Sequence, residues 1–139
     1  MKKTAVIYWS GTGNTEAMAN AVAEGMKEAG AEVAMMTPDQ VGPLNGYSAI
    51  AFGCPAMGSE VLEELDFQPM FDNCKSSLSG KSVALFGSYG WGDGEWMRSW
   101  EKDCESNGVN LVCQSVTCCE APDDAALNAC REMGRTLAG

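Results

Sequence analysis

The sequence predicts an α/β domain in which a parallel sheet is covered on both faces by helices. Short apolar runs alternate with segments whose apolar residues recur at three- and four-residue spacing. The runs are nearly continuous rather than alternating, as strands buried on both faces must be. Those ending near Trp9, Phe52 and Phe86 pass straight into glycine-rich loops, and in such sheets ligands sit beyond the carboxyl ends of strands.

The first strand covers about Lys3 to Trp9. From Asn14 to Ala29, Met18, Ala21, Val22, Gly25, Met26 and Ala29 mark one face of an amphipathic helix, and Gly30 is its stop. A second strand, Glu32 to Met36, closes at Thr37-Pro38-Asp39, and a loop from Val41 to Tyr47 leads to a third, Ala49 to Phe52. Pro69 to Leu78 reads as a weak helix. Ser82 to Phe86 is the fourth strand, Glu95 to Glu105 a helix, Val109 to Cys118 the fifth strand and Asp123 to Leu137 the last helix. Right-handed crossovers restrict the topologies to a few. Without repeats or linkers, residues 1–139 read as a single domain.

Composition narrows the function. The net charge of −10 argues against nucleic acid and anionic membranes and favours a basic protein partner. No apolar run reaches the roughly 18 residues of a membrane span, and the amino-terminal apolar stretch is too short for a signal peptide, so a cytoplasmic protein is expected. There is no histidine, which removes the commonest general base and the commonest metal ligand. The seven cysteines form no C-x-x-C pair and are odd in number; they read as reduced, mostly buried small hydrophobes. Cys118 and Cys119, adjacent on a strand, should point to opposite faces.

The first loop is Ser10-Gly11-Thr12-Gly13-Asn14-Thr15. Its glycines open backbone conformations closed to other residues, so consecutive N–H groups can converge on one point. The following helix adds unpaired amides and a positive dipole end, which suits a phosphate. A P-loop needs Gly-Lys followed by Ser or Thr, and the dinucleotide fingerprint needs a third glycine where Glu16 stands. This loop must hold its phosphate with hydroxyls and amides alone, unless it is only a strand-to-helix turn rich in small residues. The second loop, Gly53-Cys54-Pro55-Ala56-Met57-Gly58-Ser59-Glu60, offers the polarizable thioether of Met57. The third, Gly87-Ser88-Tyr89-Gly90-Trp91-Gly92-Asp93-Gly94, offers the aromatic face of Trp91, which by itself is equally readable as a core or lid tryptophan. A flat ligand between Met57 and Trp91, with a phosphate tail in the first loop, uses all three. Flavin mononucleotide (FMN) has that shape.

With their flanks, Tyr8-Trp9 before the first loop and Phe86 and Glu95-Trp96-Met97 around the third, these motifs resemble the short-chain flavodoxins of anaerobic bacteria, and the likeness covers essentially the whole chain. The resemblance implies the flavodoxin-like doubly wound five-stranded parallel sheet in the order 2-1-3-4-5. It also implies tightly, non-covalently bound FMN and a low-potential one-electron carrier that is not an enzyme. The long insertion in strand five that marks long-chain members is absent. Carried over residue by residue, Ser10, Thr12, Asn14 and Thr15 bind the phosphate with the Gly11 and Gly13 amides. Met57 lies on the inner face of the isoalloxazine, Trp91 stacks on the outer face, and Glu60 meets N3. Amides of Tyr89, Gly90, Trp91 and Gly92 meet the O2 side, Trp96 borders the site and Glu120 falls by the ribityl chain. Pro55, Ala56, Gly58, Ser59, Ser88 and Asp93 complete the cofactor-binding positions. Ser59 stands where some relatives carry Asp, and Pro55, with no hydroxyl or N–H to offer the phosphate, where some place Ser.

The expected cycle runs mainly between hydroquinone and neutral semiquinone, with the Gly58 carbonyl turning toward protonated N5 by a peptide flip. A hydrogen bond made in one redox state stabilises that state by about 0.5–1.5 kcal/mol. The expected partners are basic-surfaced reductases or low-potential oxidoreductases, and the expected state is a monomer. The alternative, a small FMN-dependent quinone or nitro reductase, has little chain left for a substrate pocket. A phosphoryl-accepting receiver domain lacks its carboxylates at Tyr8-Trp9-Ser10, and a flavin-free interaction module would be colourless.

Overall fold

The computed structural model describes residues 2–57, 61–90 and 92–139. Strands β1 (Lys3–Tyr8), β2 (Glu32–Met36), β3 (Ala49–Gly53), β4 (Ser82–Tyr89) and β5 (Val116–Cys119) form one parallel sheet in the order β2-β1-β3-β4-β5, the order expected. Four helices connect and cover it: α1 (Asn14–Glu28), α2 (Phe67–Cys74), α3 (Glu95–Ser106) and α4 (Asp124–Ala138).

The strands read as continuous apolar runs because successive side chains enter two different cores. Ala5, Ile7, Ile50, Phe52, Val83 and Leu85 face one layer, where Phe67 and Phe71 of α2 meet Trp96 and Trp100 of α3. Trp100 meets both phenylalanines edge-on, at centroid distances of 5.4 and 5.6 Å, the arrangement that aromatic quadrupoles favour. Val6, Ala51, Ala84 and Phe86 face the other layer, against Met18, Val22 and Met26 of α1 and Met133 and Leu137 of α4.

Three elements differ most from expectation. The fifth strand is not continuous from Val109 to Cys118. Leu111 makes a lone bridge to Val83, and regular pairing starts only at Val116. This strand lies at the sheet edge with a single neighbour, and Ser115 turns away to donate its hydroxyl to Glu101 of α3 at 2.6 Å. β4 runs on from Phe86 to Tyr89, because Ser88 and Tyr89 find partners in Cys118 and Cys119. α2 starts at Phe67, so Pro69 falls in its first turn, where a missing N–H costs nothing. Its free amides are taken by the buried Glu63 carboxylate, which accepts from Leu65 at 2.9 Å and from Asp66 and Phe67 at 2.8 Å each.

α1 and α4 touch backbone to backbone. A β-carbon on Gly25 would overlap the Arg131 carbonyl oxygen, and one on Gly134 would overlap the carbonyl oxygen of Val22. The flanking pairs Arg131–Glu24 (3.0 Å) and Arg135–Glu28 (2.6 Å) are partly exposed and contribute little. Gly134→Ala gains at most about 1 kcal/mol of helix propensity, while overpacking costs about 1–3 kcal/mol. We expect a lower urea midpoint for the variant; a raised one would mean that the helices do not meet at this glycine.

A second expectation concerns acid. Burial alone pushes the Glu63 carboxyl up, but its three amide bonds together bring it below the ordinary carboxylate value. The unfolded chain therefore takes up this proton first. The stabilisation is complete above the unfolded-state value and is lost as pH falls through the lower folded-state value. Glu63→Gln should flatten the fall of unfolding free energy below about pH 4; an unchanged slope would show that this carboxylate is not held by its amides.

Candidate cofactor site

Tyr8 pairs with Gly53 and Gly53 with Phe86, so β1, β3 and β4 reach the carboxyl edge of the sheet in one row. The loops that follow converge on a cleft of 700 Å³. The first loop contributes Gly11, Thr12 and Asn14, the second Pro55, Ala56 and Met57, and the end of β4 Ser88, Tyr89 and Gly90; Glu120 closes the fourth side.

The first loop is held in shape by its own groups. Gly13 is the amino-terminal cap of α1 with φ 94°, a left-handed conformation that glycine tolerates. The Ser10 hydroxyl accepts from the amides of Gly13 (3.1 Å) and Glu16 (3.3 Å). Thr15 is 1% exposed, and its hydroxyl has no hydrogen-bond partner among the described residues. The one other such atom there is the Trp100 indole nitrogen, far from this loop in the α2–α3 core. An unmade bond at a buried hydroxyl costs about 1–3 kcal/mol, which a ligand acceptor would remove.

The second loop is zipped onto the overhang of β4. Cys54 N–H donates to Phe86 (3.1 Å), Ala56 N–H to Ser88 (3.0 Å), and the Trp96 indole to the Cys54 carbonyl (3.1 Å). Gly87 makes this approach possible, since a β-carbon there would overlap that same carbonyl oxygen. Trp96 thus lies beneath the loop, 1% exposed, rather than in the cleft. Ser88 gives its hydroxyl to the Glu120 carbonyl at 2.6 Å, while the Glu120 amide donates to Tyr89 at 2.7 Å. These two bonds hold Glu120 at φ 59°, left-handed for a side chain that rarely goes there. Asp93 is exposed and paired with Arg98 at 3.0 Å, and neither it nor Gly92 lines the cleft. Gly58, Ser59, Glu60 and Trp91 lie outside the described residues.

Two lining residues went unnoticed in the sequence, Trp9 and Ala121. Trp9 counted as the last residue of the first strand, but β1 ends at Tyr8 and releases the indole over Gly11, 3.1 Å from where a β-carbon would be. Ala121 has no chemistry to announce it. The cysteines are mostly packing groups: Cys54, Cys74, Cys104 and Cys130 are buried, and burial pushes the Cys54 thiol up to about 12. Cys118 is half-buried against the Met18 sulfur and Cys119 is exposed, on opposite faces as their adjacency requires.

The flavodoxin family profile matches residues 6–134. The flavodoxin of Megasphaera elsdenii is 44% identical over 135 residues, covering 96% of each chain. That of Clostridium beijerinckii is 43% identical over 135 residues, covering 96% of this chain and 97% of its own. The chain belongs to the flavodoxin family. The solution structure of two-electron reduced Megasphaera elsdenii flavodoxin superposes with a TM-score of 0.88 at 42% identity, over 97% of this chain and 98% of that one. An archaeal flavodoxin gives 0.84 at 28% identity over 98% and 96%. Flavodoxins are FMN-binding electron carriers rather than enzymes, and family membership extends this to the chain. The site fits that cofactor: the described lining runs from Asn14 at the start of α1 to Met57 with only neutral groups at its α1 end, and next to that end, outside the lining itself, the buried Thr15 hydroxyl lacks a partner among the described residues.

Thr15 allows this fit to be tested without disturbing the fold. Thr15→Val removes a hydroxyl that makes no bond among the described residues, so stability of the apoprotein should be unchanged or raised. FMN should lose about 1.5–3 kcal/mol of affinity, the worth of a hydrogen bond to a charged group. Riboflavin, lacking the phosphate, should bind as before. Equal losses for both ligands, read by fluorescence titration, would remove Thr15 from the phosphate site.

Proposed function

We propose that the chain is a low-potential one-electron carrier, residues 1–139 acting as one domain that holds FMN tightly and without a covalent bond. The observation that supports this best is the convergence of three loops on one cleft with no cationic side chain among its described lining residues. When bound, FMN supplies the redox chemistry, and the chain binds, orients and shields it. In this reading Ser10, Thr12, Asn14 and Thr15 hold the phosphate with the Gly11 and Gly13 amides, and Glu120 approaches the ribityl chain. Met57 and Trp91 cover the two faces of the ring and exclude water, with Pro55, Ala56 and Ser88 in the wall behind. Glu60 takes the pyrimidine edge, amides from Tyr89 to Gly92 take the O2 side, and the Gly58 carbonyl accepts from N5 when that atom carries a proton.

The net charge of −10 favours basic-surfaced redox partners and disfavours nucleic acid and anionic membranes. Among the described residues no helix is long and apolar enough to cross a membrane. A cytoplasmic monomer is the assignment that goes with these features.

Anaerobic stepwise reduction followed by absorbance tests the carrier role. We expect two resolved one-electron steps with a spectrally distinct species between them; a single concerted two-electron step would overturn it. Partner charge is tested with cytochrome c, a lysine-ringed probe. Electron exchange should slow several-fold as the screening length falls from about 30 Å to about 8 Å with added salt. A salt-independent rate would reject docking on an acidic surface.

A further inference from the structure

Among the described residues Glu63 is the only buried acid, 4% exposed, and no cation pairs with it there. An ionised carboxylate so placed is costly unless its lone pairs are filled. Backbone donors fill them. Oε1 accepts from Asp66 and Phe67 and Oε2 from Leu65, all at 2.8–2.9 Å, while the Glu63 amide donates to the Cys54 sulfur at 3.4 Å. The Cys54 thiol, 0% exposed and pushed up to about 12, stays neutral in that role.

These bonds tie both ends of the second loop. On its amino-terminal side, Cys54 and Ala56 are laddered to β4 and the Trp96 indole grips the Cys54 carbonyl. Met57 N–H then donates to the Val61 carbonyl at 2.9 Å. Beyond Val61 the described chain is fixed mainly by Leu62 in the core and by Glu63, whose side chain locks residues 65–67 and the start of α2. The amino-terminal anchor is a row of bonds from separate residues, whereas the carboxyl-terminal anchor converges on Glu63, through its carboxylate, its amide on the Cys54 sulfur and its carbonyl, which accepts from Gln68 at 2.8 Å.

We propose that Glu63 is a positioning residue for the cofactor: through Cys54 and through the chain from Val61 to Phe67 it fixes the Val61 carbonyl that holds the Met57 amide, and thereby sets FMN affinity and both one-electron midpoint potentials, without touching the flavin. This rests on the FMN site proposed above. A glutamine cannot replace it, since an amide offers one acceptor oxygen, and its NH₂ must then face a backbone N–H. Asp keeps the charge but is one methylene short of the three amides.

The test compares Glu63→Gln and Glu63→Asp with Phe71→Leu, which loosens the core face of α2 one turn beyond Phe67, where Phe71 is 0% exposed, and leaves the hydrogen bonds of Glu63 intact. FMN dissociation constants and both midpoint potentials are measured at a temperature where urea titration finds each protein fully folded. Glu63→Gln should weaken FMN about tenfold or more and displace the potentials. Glu63→Asp, the variant to rely on if the glutamine protein does not fold, should fall between it and the parent. Phe71→Leu should lower the urea midpoint alone. Glu63 variants that lose stability with affinity and potentials unchanged would overturn the proposal, as would Phe71→Leu moving both equally. A parent protein that fails to bind FMN would instead overturn the underlying site.

Discussion

Parallel pairing sets Tyr8, Gly53, Phe86 and Val116 in one row across the sheet. A slip of one residue in any pair would displace its loop by about 3.3 Å and turn its side chains into the wrong core. The two-core arrangement forbids that slip, because Phe52 and Leu85 are sized for the aromatic layer and Ala51 and Ala84 for the layer beneath α1 and α4. Burial therefore fixes register, and register makes three loops start at one level. The site is a consequence of how the strands are covered.

Above that row, β4 does what no other strand does: it continues for Gly87, Ser88 and Tyr89 with a neighbour on each side. One side receives the amides of Cys54 and Ala56; the other pairs with Cys118 and Cys119 and bends back through Glu120. This overhang is the back wall of the cleft. It also joins the second loop to the fifth strand, so the side chains lining the cleft stand on backbone that is laddered rather than free.

The fold was legible because hydrophobic period and glycine position speak to local structure, and the strand order followed from the resemblance. Asn14 to Ala29 carries the apolar spacing of its helix on its face, and four of five strands were placed to within a few residues. The misreadings were of pairing rather than propensity. Ser88 and Tyr89 look like loop residues beside Gly87 and Gly90, yet they are strand because Cys118 and Cys119 lie opposite. Residues 109–115 are rich in strand formers, yet at an edge with one neighbour they mostly leave the ladder. At the site, hydroxyl- and glycine-bearing positions announced themselves by composition. Glu63 did not: beside Glu64 and Asp66 it reads as one more solvated acid, and only the fold reveals that its carboxylate is turned inward onto α2.

A phosphate site without a cation, as proposed for this chain of net charge −10, needs a physical account, and distance provides it. An acid about 12 Å away repels a unit charge by roughly 0.3 kcal/mol in water, and a screening length near 8 Å reduces that to about a quarter. Ten such acids then oppose a dianion by about 1.5 kcal/mol. A single hydrogen bond from a neutral donor to a charged group is worth about 1.5–3 kcal/mol, and a helix amino terminus adds about 0.3–1 kcal/mol. Two donors at contact outweigh the whole distant field. In the proposed reading Thr15 contributes to best effect, because its hydroxyl has no partner among the described residues to give up on binding. The Gly13 amide must first leave the Ser10 hydroxyl or share it. In the proposed reading the acidic surface is thus free to select partners at long range, while the loop selects the ligand at contact.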